Sequence, residues 1–89
     1  MVDTKELERN YKAFGNRRRL DILKYLKRSE KATVGDIATK IGLSFKSTSR
    51  HLAVLSAIAV LSSEQVGLYV YYSLSADKSS VVQQVLDLL

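Results

Sequence analysis

Two short helical patterns joined by a turn of only two residues constrain the fold of this chain more than any other feature. The first pattern follows Thr33, which begins a capping box, and ends at Gly42. The second begins behind the N-cap Ser44 and covers Phe45 to about Ser56. Only Gly42 and Leu43 remain for the turn, and glycine suits it because this residue adopts positive φ without strain. The spacing therefore predicts two closely packed helices.

Two further helices are predicted before this pair. The first covers Thr4–Phe14, and Gly15 ends it. Its apolar stripe has helical spacing and consists of Leu7, Tyr11 and Phe14. Asn16 is a good N-cap for the second helix, which runs to about Arg28 before a polar turn of residues 29–31.

The pattern changes after the fourth helix. Val60–Glu64 is a short β-like run, Gln65–Leu68 contains a turn glycine, and Tyr69–Leu74 has the alternation of a strand, which together predict a β-hairpin. A last helix, capped by Ser75 or Asp77, runs to the end of the sequence. It carries two neighbouring apolar stripes, formed by Val81, Val85 and Leu88 and by Val82, Leu86 and Leu89.

This order of elements predicts a mostly α fold with a small β-hairpin, namely a winged helix-turn-helix. In this fold the third helix braces the fourth, whose outward stripe fits a major groove about 12 Å wide. A helical wheel places Thr48, Leu52 and Leu55 on the inner side of the fourth helix. The outer stripe consists of Lys46, Ser49, Arg50 and Ala53. With 89 residues the chain is too short for a second core, so we expect one domain over residues 1–89.

The positive charge of the chain is unevenly distributed. The net charge is +5, and residues 1–31 carry ten of the fourteen basic side chains, whereas residues 65–89 carry only Lys78. A basic front and a neutral apolar rear suggest one surface for a polyanion and another for a protein partner. The alternative is that the basic side chains only solvate exposed helix faces.

The composition disfavours several functional classes. Cysteine is absent, which excludes disulfides, thiolate metal sites and cysteine nucleophiles. One histidine, no carboxylate pair at a recognisable spacing and no Gly-rich phosphate loop make an enzyme unexpected. No uncharged run, Val66–Ala76 included, is long enough to span a membrane, and no signal-peptide pattern follows Met1. A cytoplasmic location is therefore expected.

Three segments resemble one known family. They are FGNRRRLDILKYL, TVGDIATKIGLSFKSTSRHLAVL and YVYYSL, and they are similar to ArsR-type winged-helix transcriptional repressors. The resemblance covers roughly Phe14 to Leu74, and its most specific element is Ser49-Arg50-His51-Leu52. It implies a homodimeric, sequence-specific repressor that binds double-stranded DNA at a palindromic operator, with the terminal helices forming the dimer. No cofactor is expected.

The resemblance and the outward stripe together predict the site residues. We expect Lys46, Ser49 and Arg50 to read or grip the groove, while the basic N-terminal third neutralises phosphates. The full set of expected DNA contacts is Ser44, Phe45, Lys46, Ser47, Ser49, Arg50 and His51. The expected dimer contacts are Leu7, Tyr11, Phe14, Val81, Val82, Val85, Leu86 and Leu89.

Five of these expected DNA contacts have an alternative interpretation. Lys46 and Arg50 could be solvated helix charges, and Ser44 is first of all an N-cap. Phe45 either packs at the margin of the core or contacts a thymine methyl group. For His51, a structural or phosphate-contacting role is favoured over catalysis or metal binding.

Three arginines at positions 17–19 open the second helix, where positive charge opposes the helix dipole. This unfavourable position suggests that they are used elsewhere. For Arg19, the alternative is a structural ion pair.

The sequence departs from the family pattern near the wing. Ile58 and Ala59 stand where the family usually has Ala-Gly, and the wing tip Ser62–Leu68 has one acidic side chain and no Lys or Arg, whereas family wings are often basic. This wing supports an alternative function, a winged-helix protein-interaction module that does not bind DNA. The outward Lys46 and Arg50 argue against that alternative, because interaction surfaces favour apolar anchors.

Metal sensing is not expected. In metal-sensing relatives, cysteines commonly lie at the start of the helix before the recognition helix, and the matching positions here are Thr33 and Gly35. A second family site uses histidines and carboxylates on the C-terminal helix, which here offers only Asp77 and Asp87. These residues supply too few ligands for zinc or copper.

Overall fold

The structure is a computed structural model that describes residues 3–89. Its elements are α1 (Thr4–Phe14), α2 (Arg17–Ser29), β1 (Lys31–Thr33), α3 (Val34–Ile41), α4 (Phe45–Ala57), β2 (Leu61–Val66), β3 (Tyr69–Leu74) and α5 (Ser80–Leu88). The strands form one antiparallel sheet in the order β1-β3-β2. This is a winged helix-turn-helix, as predicted. The α3–α4 pair is the helix-turn-helix, and the β2–β3 hairpin is the wing.

The predicted helix ends are confirmed where local capping determines them. Thr33 and Asp36 form the complete capping box of α3. Gly42 ends this helix in the left-handed region, with φ 71° and ψ 38°. Asn16 caps α2 through a hydrogen bond from the backbone N–H of Arg19 at 3.1 Å. Each of these signals lies within a few residues of the end that it fixes.

The predicted polar turn over residues 29–31 is wrong, because Lys31–Thr33 forms the strand β1. This strand pairs with β3, with Ala32 opposite Tyr72. The change of direction falls on Glu30, whose φ is 68°. The pairing joins segments that are distant in sequence, so the local pattern did not reveal it.

The last helix begins later than predicted. Its N-cap is Ser79, whose Oγ accepts a hydrogen bond from the N–H of Val82 at 3.3 Å. The predicted caps Ser75 and Asp77 are therefore wrong. The backbone N–H of Ser75 donates instead to the carbonyl oxygen of Val60 at 2.9 Å, which keeps this segment beside the base of the wing.

The core surrounds α2 and holds the helix-turn-helix in place. The largest fully buried apolar side chains are Ile22, Leu23, Leu26, Ile37, Leu52, Leu55, Val60 and Val82. They come from α2, α3, α4, the segment before β2, and α5. Burial of each such side chain contributes about 1.5–3 kcal/mol, so the orientation of α4 is fixed by the core that supports it.

The turn between α4 and the wing contains a strained residue. Ala59 has a φ of 60°, in the left-handed region that costs an L-residue about 1–2 kcal/mol. We expect Ala59→Gly to raise the free energy of unfolding by about 0.5–1 kcal/mol, after the greater freedom of glycine in the unfolded chain is subtracted. Urea unfolding of both proteins measures this difference, provided that their m-values are the same.

A matched control is Ala53→Gly, at an exposed position inside α4. Glycine there relieves no strain and should lower the free energy of unfolding by about 1 kcal/mol. A lower stability for Ala59→Gly than for the unchanged chain would contradict the assignment of strain to Ala59.

Candidate nucleic-acid interface

The N-terminal end of α4 is fixed at Ser44. The Oγ of Ser44 accepts a hydrogen bond from the N–H of Ser47 at 3.1 Å. The hydroxyl of Thr48 donates to the carbonyl oxygen of Ser44 at 2.8 Å. Thr48 is completely buried, and Leu52 and Leu55 continue the buried face of the helix. Ser44 is thus an N-cap, while its phosphate contact stays a prediction. This anchoring turns the opposite face of α4 outward.

The outward face of α4 carries the predicted polar stripe. Lys46, Arg50 and Ala53 are exposed, and Ser49 is half-buried between the two cations. The helix contains no acidic residue that would neutralise them locally. An exposed helix of this kind fits the major groove, where arginine and lysine donate to guanine O6 and N7 and serine donates or accepts.

His51 lies beside this face and is in contact with Arg19. The NH1 group of Arg19 is 3.2 Å from Nδ1 of His51. The same guanidinium donates to the carbonyl oxygens of Ala13 at 2.6 Å and Lys12 at 3.2 Å. Because a guanidinium only donates, Nδ1 is the acceptor and Nε2 carries the proton of the neutral ring. Arg19 therefore links the carboxyl end of α1 to α4.

The surroundings of His51 favour its neutral form. Burial lowers the pKa of His51, and the positive charges of Arg19 and Arg18 lower it further. Since the pKa is lower in the folded chain than in the unfolded chain, protonation favours unfolding. This contribution to stability is complete above the ordinary histidine pKa of 6.5 and is lost as the pH falls through that value towards the folded pKa.

We therefore expect the urea midpoint of the protein to fall between about pH 7 and about pH 5, the range in which histidine titrates. The fall should be smaller for His51→Gln, because the sequence has no other histidine. Unfolding curves at several pH values give the slope of the urea midpoint against pH for the unchanged protein and for His51→Gln. Equal slopes for the two proteins would contradict the depressed pKa.

Several basic side chains of the N-terminal third bind the carboxyl ends of helices. Three of these bonds join Arg9 to the carbonyl oxygen of Ala57 at 3.3 Å, Arg18 to that of Ile41 at 2.7 Å, and Lys27 to that of Leu86 at 2.8 Å. Helix carboxyl ends attract cations because the dipole is negative there. The unfavourable position of Arg18 and Arg19 at the start of α2 is thereby explained. The alternative ion pair of Arg19 is wrong, because its partners are carbonyl oxygens and a neutral ring.

The start of α4 and the tip of the wing share an exposed apolar groove. Phe45 lines it together with Leu68 and Tyr69. Phe45 is exposed and lies outside the core, so the alternative in which it packs at the core margin is wrong. Sequence patterns did not predict this groove, because it forms only when the hairpin folds back beside α4. We call it the wing–helix groove.

A second apolar groove lies between α1 and α5. Its lining residues are Tyr11, Phe14, Gly15, Leu20, Val85, Leu88 and Leu89. Leu88 is 85% exposed, and Tyr11 is also exposed. The predicted set of dimer contacts omits Leu88, although its stripe on the last helix was visible in the sequence. We call this surface the α1–α5 groove.

Half of the predicted dimer contacts are buried within the chain itself. These residues are Phe14, Val81, Val82 and Leu86. Their contact with a partner stays a prediction: they pack mainly inside the chain, although Phe14 also lines the α1–α5 groove. The others, Leu7, Tyr11, Val85 and Leu89, keep accessible surface, and their contact with a partner stays a prediction.

Two kinds of feature are absent from residues 3–89. No group of three or more His, Cys, Asp or Glu side chains comes together there in a way that could hold a metal ion. In the same range, no helix combines the length and the apolar character that crossing a membrane requires.

Comparison with known proteins gives one family and several similar structures. The family model described as "Bacterial regulatory protein, arsR family" matches residues 16–57, which span α2, β1 and the α3–α4 helix-turn-helix. The transcriptional repressor SdpR of Bacillus subtilis (strain 168) is 38% identical over 65 residues, which cover 73% of this chain and 71% of SdpR. Both descriptions are of regulatory proteins.

Two solved structures extend the similarity to nearly the whole chain. NolR from Sinorhizobium fredii is 33% identical, with a TM-score of 0.82, and the match covers 96% of this chain and 81% of NolR. The homodimeric winged helix-turn-helix DNA-binding domain Mb0332 from Mycobacterium bovis is 27% identical, with a TM-score of 0.80. That match covers 96% of this chain and 75% of the Mb0332 fragment.

Proposed function

The chain belongs to the ArsR family of bacterial regulatory proteins, and on this premise we propose that it is a repressor that binds a palindromic operator as a homodimer. Residues 1–89 act as one DNA-binding domain. Its recognition helix is α4, and its dimer surface is the α1–α5 groove.

One observation carries the DNA-binding role, namely the outward face of α4. Lys46 and Arg50 are exposed on a helix whose other face is fixed in the core by Thr48, Leu52 and Leu55. Cations held on a rigid, outward helix have the geometry for reading base edges and neutralising phosphates. Family membership and this face favour DNA binding over the alternative of an interaction module.

The dimer is supported by the α1–α5 groove and by the homodimeric Mb0332 domain. An apolar surface of this kind is unfavourable in water, and a symmetric partner would cover it. In such a dimer the two copies of α4 enter successive major grooves. The half-sites are then about 34 Å, or one helical turn, apart.

The test is selection of bound sequences from random duplex DNA by the purified protein. We expect an enriched motif with two inverted half-sites whose centres are about 10 base pairs, or a multiple of this, apart. Enrichment of single, unpaired half-sites would contradict the dimer. No enrichment over the starting pool would contradict sequence-specific DNA binding.

We further propose that no transition metal regulates this repressor. Thr33 and Gly35, which match the family's cysteine positions, provide no thiolate, and Asp87 is the only acidic residue within α5. We expect zinc to leave the affinity for the selected operator unchanged and to give no stoichiometric, submicromolar binding in calorimetry. Tight zinc binding that weakens the DNA complex would contradict this expectation.

A further inference from the structure

The wing–helix groove is an exposed apolar surface beside the recognition helix. Phe45 is 64% exposed, and on the opposite wall Leu68 is 97% and Tyr69 is 62% exposed. Val34, at the start of α3, also lines the groove. Contiguous apolar surface on a small domain usually marks a binding site.

The charge around the groove argues against phosphate binding. The wing from Leu61 to Leu74 contains Glu64 and no Lys or Arg. The one Lys or Arg in the three strands is Lys31 of β1, and its Nζ lies over the ring of Tyr71, 5.4 Å from its centroid. The wing tip therefore has no positive charge that could neutralise a DNA backbone. A ligand group that suits this apolar surface is itself apolar.

The groove is continuous with the face that carries the proposed DNA contacts. Phe45 is the first residue of α4 and directly precedes Lys46. Residues in the first turn of a recognition helix contact base edges. The apolar substituent that base edges present in the major groove is the 5-methyl group of thymine.

We propose that the wing–helix groove receives thymine methyl groups of the operator and that Phe45 is the residue that contacts them. This inference rests on the proposed function. It adds that the chain selects thymine at operator positions next to those that Lys46 and Arg50 contact. Leu68 and Tyr69 shield the methyl group from water. Removal of one buried methyl group from a half-site should reduce affinity about fourfold, and its removal from both half-sites about 15-fold.

The experiment compares thymine with deoxyuridine, which lacks only the methyl group. Each thymine of the selected operator is replaced in turn, symmetrically in both half-sites. Affinity is measured for the unchanged protein and for Phe45→Ala, Phe45→Leu and Val66→Ala. Val66 is a matched control, because it is an exposed apolar residue of the wing that does not line the groove. The urea midpoint of each variant checks the fold.

We expect the unchanged protein to lose about 15-fold in affinity at one symmetric thymine position. Phe45→Ala should bind the thymine and deoxyuridine duplexes equally, Phe45→Leu should keep part of the discrimination, and Val66→Ala should keep all of it.

Specific binding that no deoxyuridine substitution weakens would overturn this inference and leave the proposed function intact. The same holds if Phe45→Ala discriminates as the unchanged protein does, or if it lowers the molecular mass in solution, since the groove would then be a contact between copies. Absence of specific DNA binding by the unchanged protein would overturn the proposed function and this inference with it.

Discussion

Replacement of Lys46 and Arg50 together by alanine should lower the affinity for the selected operator by at least about tenfold, because an arginine that contacts a base edge contributes about 1–3 kcal/mol. Both copies of α4 lose the contacts in a homodimer, so the effect falls on each half-site. Arg50→Ala alone should also relax the base preference at one position of each half-site. Lys46→Ala alone, if it removes only a phosphate contact, should reduce the salt slope by about one unit per half-site.

The matched control is the double variant Lys24→Ala, Arg28→Ala. It removes the same charge from exposed positions of α2 rather than of α4. Titrations of labelled duplex at several salt concentrations should give a smaller loss of affinity for this control and an unchanged base preference. Equal losses for the two double variants would indicate that net charge, rather than the α4 face, determines binding.

Leu88→Glu should convert the protein to a monomer and lower its operator affinity by about 10²–10⁴-fold, the usual range for loss of a linked second binding site. Leu88 is 85% exposed and lines the α1–α5 groove, so a charge there opposes association without disturbing the core. Val85→Glu should have the same effect on mass. Because Val85 also packs against the core, Leu88→Glu separates dissociation from unfolding more cleanly.

Light scattering at micromolar protein concentration measures the mass, and the urea midpoint checks the fold of each variant. The matched control is Val66→Glu, which places the same charge on an exposed apolar residue of the wing. It should leave the mass at that of the dimer. A monomeric mass for the unchanged protein would contradict the dimer, as would an unchanged mass for Leu88→Glu.

The features that the sequence predicted well are those with a local physical cause. Asn16, Gly42 and Ser44 act on backbone groups within three or four residues, so the bounds of α2, α3 and α4 could be placed from the sequence. The inner and outer faces of α4 follow from helical periodicity in the same way. Both the recognition helix and its polar stripe were therefore predictable.

The features that the sequence missed depend on contacts between distant segments. β1 exists because it pairs with β3, and Arg19 contacts His51 across 32 positions of sequence. A helical stripe likewise does not tell which of its apolar residues are buried within one chain and which stay exposed for a partner. Phe14 is buried whereas Tyr11, on the same predicted stripe, is exposed, because α2 and α5 pack near the end of α1.

The central claim is that the outward face of α4 lies in the major groove of each operator half-site. A DNA-cleaving reagent tethered to a single cysteine tests it directly, since the natural chain contains no cysteine. Ala53→Cys places the reagent on the outward face of α4, and Lys24→Cys, on α2, serves as the control. We predict that the Ala53→Cys conjugate cuts the operator in two symmetric clusters, one in each half-site and about 10 base pairs apart, whereas the Lys24→Cys conjugate does not cut there. A bound Ala53→Cys conjugate that leaves both half-sites uncut, or that cuts in the same pattern as the control, would contradict the claim.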